Sequence, residues 1–122
     1  MPRYVILEHD FPTLHWDLLL EAGAVLRAWR LAEPPQRGRA VPAEPSFDHR
    51  LVYLDYEGPV SGNRGHVRRW DQGTYTSGDG EVSADAAGPQ HLALTGQRLR
   101  GQAVLTRTAQ GSWQLVYEEG QS

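Results

Sequence analysis

Eight short runs of apolar and β-branched residues, each bounded by glycine, proline or aspartate, limit what this chain can fold into. They are Tyr4–Glu8, Leu14–Glu21, Val25–Leu31, Leu51–Tyr56, His66–Trp70, His91–Leu94, Ala103–Arg107 and Trp113–Tyr117. Runs of this length and composition read as strands, and no longer stretch carries the 3.6-residue apolar period of a helix. Strands with no helices to cover them bury their apolar face by closing or stacking. The expected class is therefore all-β, a barrel or closed sandwich with long loops and at most one or two short helices. At 122 residues there is material for one core, so residues 1–122 are expected to form a single domain.

The punctuation between runs is specific. Glu21–Val25 (EAGAV) reads as a tight hairpin turn in which Gly23 supplies a positive φ. Glu33–Asp48 holds Pro34, Pro35, Pro42 and Pro45, which predicts an extended surface loop rather than a strand. Gly58–Gly65 and Gly78–Gln90 are two further loops, the latter with a helical turn expected at Ser83–Ala87.

The richest segment is Glu8–Glu21, EHDFPTLHWDLLLE. Period-two alternation puts Leu14, Trp16, Leu18 and Leu20 on one face and His15, Asp17, Leu19 and Glu21 on the other. His15 and Asp17 then point the same way, about 7 Å apart at Cα for two steps of roughly 3.3 Å. Asp10–Thr13, with its proline, reads as a turn that brings His9 back beside His15. Two imidazoles and a carboxylate suit Zn²⁺, Mn²⁺ or Fe²⁺, and the set by itself does not choose among them.

Composition removes several classes. There is no cysteine, so there are neither disulfides nor thiolate ligands, and any metal must be held by His, Asp or Glu. A formal charge of −3 argues against a protein that coats nucleic acid by neutralising many phosphates, though not against a local site. All 12 basic residues are arginines, suited to bidentate phosphate or carboxylate contacts but equally a mark of coding bias. No apolar run approaches the ~18 residues of a membrane span and the N-terminus does not resemble a signal peptide, so a cytoplasmic protein without membrane contact is expected.

Two other places could carry chemistry. His49 and Tyr53 in FDHRLVYLDYEG have a spacing that would let both face a pocket, although a half-buried tyrosine is also ordinary in a strand. His66, with Arg64, Arg68 and Arg69 in GNRGHVRRWD, forms the densest basic patch, a pattern that commonly marks a solvated face.

Taken together, these residues resemble the 3′-phosphoesterase domain of bacterial ligase D, the multifunctional DNA-end-joining enzyme, over most of the chain. EHDFPTLHWDLLLE is similar to the family's EHDA-x-x-LHYDLRLE, and DHRLVYLDYEGPV to DHPLEYADFEG-x-I. VRRWDQGTY matches V-x-x-WD-x-GTY, LTGQRLRGQAVLTR matches L-x-G-x-x-L-x-G-x-x-x-L-x-R, and WQLVY stands where the family has WLLIK. The resemblance implies a compact antiparallel β-barrel that binds one divalent metal, commonly manganese with zinc as the alternative. Its implied reaction is removal of a 3′-terminal ribonucleoside and then the 3′-phosphate from DNA ends in non-homologous end joining. By the same resemblance His9, His15 and Asp17 are the metal ligands, and His49 and Tyr53 the pair at the scissile phosphate. A DNA or RNA 3′ end and a ligase or polymerase are the implied partners.

The chain also departs from the family pattern. Leu19 stands where the family has an arginine (LHYDLRLE), Glu33 stands near the lysine of WAVPKGP, and Phe47 replaces the glutamate before DH. QYGAGTV has become GNRGHV. An arginine fork gives bidentate contacts to phosphate, and losing such an element commonly costs about 10²–10³ in rate. Two expectations follow. In one, Arg64, His66 or Arg68 takes over the phosphate in a re-tooled hydrolase. In the other, the chain is a catalytically impaired module that binds a metal and a nucleic-acid end. A metallo-hydrolase of another phosphate ester is the third reading.

Overall fold

The computed structural model describes residues 1–86 and 88–120. Nine strands follow one another: β1 (Arg3–His9), β2 (His15–Ala22), β3 (Val25–Leu31), β4 (Ala40–Arg50), β5 (Gly58–Pro59), β6 (His66–Ser77), β7 (Gln90–Gly96), β8 (Arg100–Arg107) and β9 (Trp113–Glu119). A 3₁₀ turn, Leu51–Leu54, sits between β4 and β5. All strand pairings are antiparallel, in the order β1-β2-β3-β4-β9-β8-β7-β6, and β1 also pairs with β6. That last pairing closes an eight-stranded barrel, and closure removes the exposed edges that an open sheet would present. The two-residue β5 is an extra strand on β6. Among the described residues no helix is long and apolar enough to cross a membrane.

The expected β2–β3 hairpin forms, with Ala22 opposite Val25 and Gly23 at φ 63°. The expected loop at Glu33–Asp48 does not extend that far. Its second half is β4, with Trp29 opposite Pro45 and Val41 opposite Leu115. Proline is tolerated here because β4 pairs with β9 only over Ala40–Pro42, so one side of the strand beyond Pro42 has no ladder to interrupt. The expected strand at Leu51–Tyr56 is instead the 3₁₀ turn and the residues after it, and within the turn only Leu54 is buried. Of the helical turn expected at Ser83–Ala87, Ala84 and Asp85 form a simple turn, and Ala87 lies outside the described residues.

Alternation along the strands creates two apolar layers. The barrel interior is filled by residues such as Tyr4, Ile6, Leu18, Leu20, Trp29, Leu31, Val41, Leu92, Leu105 and Leu115. The opposite faces of β1, β2 and β3 are not left to water. Val5, Leu7, Leu19, Leu26 and Ala28 form a second, outer cluster with Val67 and Leu54, overlain by Leu51, Tyr53, Tyr56 and Val60. The turn after β4 and the loop into β6 therefore fold back over the outside of the barrel, and β2 is buried on both faces.

Candidate metal centre and cleft

The outer face of the β1–β2 hairpin carries the histidines and the aspartate. His9 pairs with His15 and Leu7 with Asp17, so all three side chains emerge on the side of the outer cluster. One ligand atom from each of His9, His15 and Asp17 lies within 4.8 Å of the others, a group that could hold a metal ion.

Both imidazoles are oriented by backbone carbonyls. His15 Nδ1 is 2.8 Å from the Thr13 carbonyl, and His9 Nε2 is 2.8 Å from the Arg64 carbonyl. A carbonyl only accepts, so these nitrogens carry the protons and the other nitrogen of each ring keeps its lone pair. Those are the nitrogens that face Asp17: His9 Nδ1 lies 3.2 Å from Oδ2 and His15 Nε2 3.1 Å from Oδ1. His15 Nε2 is buried and lacks the alignment of a hydrogen bond. His9 Nδ1 is in hydrogen-bonding position to Asp17 Oδ2, and with both rings neutral the two nitrogens would turn lone pairs toward the carboxylate, each ring fixed by an outer carbonyl, as metal-binding histidines do. The donor set and the unsatisfied buried nitrogen both fit a divalent cation.

Protons respond to the same contacts. Burial presses His15 toward its neutral form, but the Asp17 carboxylate and the Thr13 carbonyl outweigh it and raise its pKa above the ordinary histidine value. For Asp17, burial favours protonation, yet His15 and the neighbouring histidines hold its carboxyl below the ordinary range.

The Arg64 carbonyl reaches His9 because the chain turns tightly at Gly65. Gly65 has φ 76°, and a Cβ there would run into Asp10 and Phe11. The Asp10 carboxylate accepts the backbone N–H of His66 at 2.7 Å, which pins the 64–66 segment to the β1–β2 turn.

Beside His9 and Asp17 opens a cleft of about 450 Å³ whose lining includes Arg30, His49, Tyr53 and Arg64. His49 lies one residue before the end of β4, and its Nδ1 is 2.9 Å from the Phe47 carbonyl, which leaves Nε2 available. Its ring stacks on Phe47 at 4.8 Å and meets Tyr53 edge-on at 5.8 Å. The expected residues thus divide. His9, Asp17, His49, Tyr53 and Arg64 line one cleft, while His15 closes the metal group from the side of a neighbouring groove. His66 and Arg68 lie elsewhere, exposed on β6, with Arg68 paired to Glu8 and His66 near Asp10. Sequence reasoning passed over Arg30, although counting back from the Gly23 turn places it directly opposite Asp17.

The small closed barrel thus carries on its outer wall a His₂Asp group that could hold a metal ion, beside a cleft with histidine, tyrosine and arginines. Residues 7–107 match the model of the DNA ligase D 3′-phosphoesterase domain, and the chain belongs to that family. It is 34% identical over 123 residues to the multifunctional non-homologous end joining protein LigD of Pseudomonas aeruginosa, covering 93% of this chain and 15% of that protein. It is 26% identical over 122 residues to the protein of the same name from Mycolicibacterium smegmatis, covering 91% of this chain and 16% of the relative. The chain thus spans about a sixth of the length of these relatives. Family membership supports a phosphoesterase-like role.

Proposed function

We propose that this chain is a divalent-metal-dependent phosphoesterase that removes a 3′-terminal ribonucleoside or 3′-phosphate from nucleic-acid ends during DNA repair, with Mn²⁺ as the preferred ion and Zn²⁺ as a competitor. The observation that carries the reading is the pair of carbonyl-oriented imidazoles aimed at Asp17 beside a cleft that also holds His49 and Tyr53. A metal bound by His9, His15 and Asp17 would neutralise phosphate charge and lower the pKa of a water.

The chain's own residues would do the rest. As water attacks phosphorus and the P–O bond to the sugar breaks, the leaving oxygen needs a proton, and His49 Nε2 is free to deliver one when protonated. Tyr53, edge-on to His49, would add a hydroxyl donor to the phosphoryl oxygens. The neighbouring Phe47, 70% exposed, offers an aromatic face on which a terminal base could stack. We place the reaction in non-homologous end joining, the process named for both relatives, with a ligase or polymerase as the proposed partner.

The test uses 5′-labelled primers ending in a ribonucleotide or a 3′-phosphate. Mn²⁺-dependent shortening or phosphate release, abolished by chelator and lowered by about 10²–10⁴ in His49→Ala, is the expected result. A wild-type chain that binds Mn²⁺ but leaves both primers intact would support the second reading, a module that holds a metal and a nucleic-acid end without turnover. Leu19, in place of the arginine of the family pattern, favours that second reading.

A further inference from the structure

The cleft contains an arginine, Arg30, that makes no ion pair among the described residues. Arg30 lies on β3 between two inward-pointing core residues, Trp29 and Leu31, so its side chain projects onto the outer face. Its cross-strand neighbours are Asp17 on β2 and Glu44 on β4. Despite two flanking carboxylates, none of the ion pairs among the described residues includes Arg30. Its Nε is buried and has no hydrogen-bond partner. Arg27 and Arg69 also leave Nε without a partner, but their terminal nitrogens meet carboxylates; Arg30 has neither among the described residues, a cost that a ligand supplying an acceptor would relieve.

Position gives that ligand its chemistry. Arg30 lines both the cleft with His9, Asp17, His49 and Tyr53 and the groove with His15, Leu14 and Trp113. It is the residue that joins the two. Two other arginines line the cleft: Arg50 is exposed at the end of β4, and Arg64 is already occupied, donating from Nε to the Ser61 carbonyl at 2.7 Å and from a terminal nitrogen to Ser61 Oγ at 3.2 Å. A guanidinium offers a planar fork that matches two oxygens of a phosphate.

We infer that Arg30 binds the phosphate group of the substrate, gripping its oxygens beside Asp17 where the cleft meets the groove. The inference rests on the phosphoesterase reading for the identity of the substrate, but the anion site itself does not require turnover.

The experiment follows inorganic phosphate by two-dimensional proton–nitrogen NMR, which resolves arginine Nε–H signals. The Arg30 signal, identified by its loss in Arg30→Gln, is expected to move as phosphate is added. Arg30→Gln should weaken phosphate binding by about 10- to 100-fold, Arg30→Lys should recover part of the loss, and Arg68→Gln, outside the cleft and paired to Glu8, should leave the affinity nearly unchanged. Mn²⁺ affinity should not weaken in Arg30→Gln, which separates phosphate binding from support of the ligands. Absence of phosphate binding by wild type, or equal binding by Arg30→Gln, overturns the proposal. Primer assays distinguish the two ideas. Cleavage by wild type with unchanged kcat/KM in Arg30→Gln removes Arg30 and leaves the phosphoesterase, whereas Arg30-dependent phosphate binding in a chain that cleaves neither primer does the reverse.

Discussion

His15 Nε2 and Asp17 Oδ1 face each other at 3.1 Å, buried, without the alignment of a hydrogen bond between them. The contact is held in place from outside, because Thr13 takes the proton on the other ring nitrogen. A cation bridging the two would satisfy both. Mn²⁺ is therefore expected to raise the melting temperature with the logarithm of its concentration, the stabilisation reaching about 2.7 kcal/mol at a hundredfold excess over Kd. Asp17→Asn should abolish that shift in thermal scans with and without chelator. A melting temperature indifferent to Mn²⁺ and Zn²⁺ would remove the metal centre.

Gly65 sets the height of the Arg64 carbonyl over His9. Gly65→Ala must adopt φ 76° with a side chain, at a cost of about 1–2 kcal/mol, and must also displace Asp10 or Phe11. Since the carbonyl orients the His9 ring, the same change should weaken Mn²⁺ binding by about 10- to 100-fold. Calorimetry is the check, and unchanged affinity in a folded Gly65→Ala would show that the carbonyl does not position the ligand.

Leu19 has no exposed surface and packs in the outer cluster with Val5, Leu7, Leu26, Ala28, Leu54 and Val67. Restoring arginine at this position therefore puts a charge into an apolar layer already filled. Leu19→Arg is expected to destabilise the chain by several kcal/mol rather than raise activity. Leu19→Ala should cost about 2–5 kcal/mol through the cavity it leaves. Denaturant titration of both variants measures this, and a stable, more active Leu19→Arg would contradict it.

Inside the barrel, the Tyr4 hydroxyl donates to Asp71 Oδ2 at 2.6 Å, and Asp71 also accepts backbone N–H groups from Arg98 and Leu99. Burial first, and then the Asp71 carboxylate, push the Tyr4 pKa above its ordinary value of 10.0. A raised folded pKa stabilises fully below the unfolded value and is lost as pH climbs from there toward the folded one. Stability should accordingly fall above pH 10, and Tyr4→Phe should make that alkaline decline shallower while costing about 1–3 kcal/mol at neutral pH. Urea titrations across the alkaline range decide it; an identical slope in the variant would mean Tyr4 does not titrate in this window.

Much of the barrel could be read from residue order. The period-two pattern from Leu14 to Glu21 located β2, and the glycine turn fixed its register with β3. The same alternation put His15 and Asp17 on one face, the Asp10–Thr13 turn put His9 beside His15, and the family resemblance implied that the three are ligands. What escaped had physical causes. Pro42 and Pro45 disguised β4, because a composition that argues against a central strand is harmless at the end of the β9 ladder, where Pro42 sits, and beyond it, where Pro45 has no partner on that side. The Leu51–Tyr56 run imitates a strand but supplies the cover for the outer layer. That layer was itself hidden, since a strand buried on both faces has no polar side to announce its orientation.

The two layers on β2 have a further implication for how such a chain can change over generations. Trp16, Leu18 and Leu20 answer to the interior, and His15, Asp17 and Leu19 answer to the exterior. Alternate letters of one short word are thus subject to separate selection. A descendant could rewrite the outward letters, exchanging one reaction for another or abandoning chemistry altogether, and inherit an intact shell on which to do it.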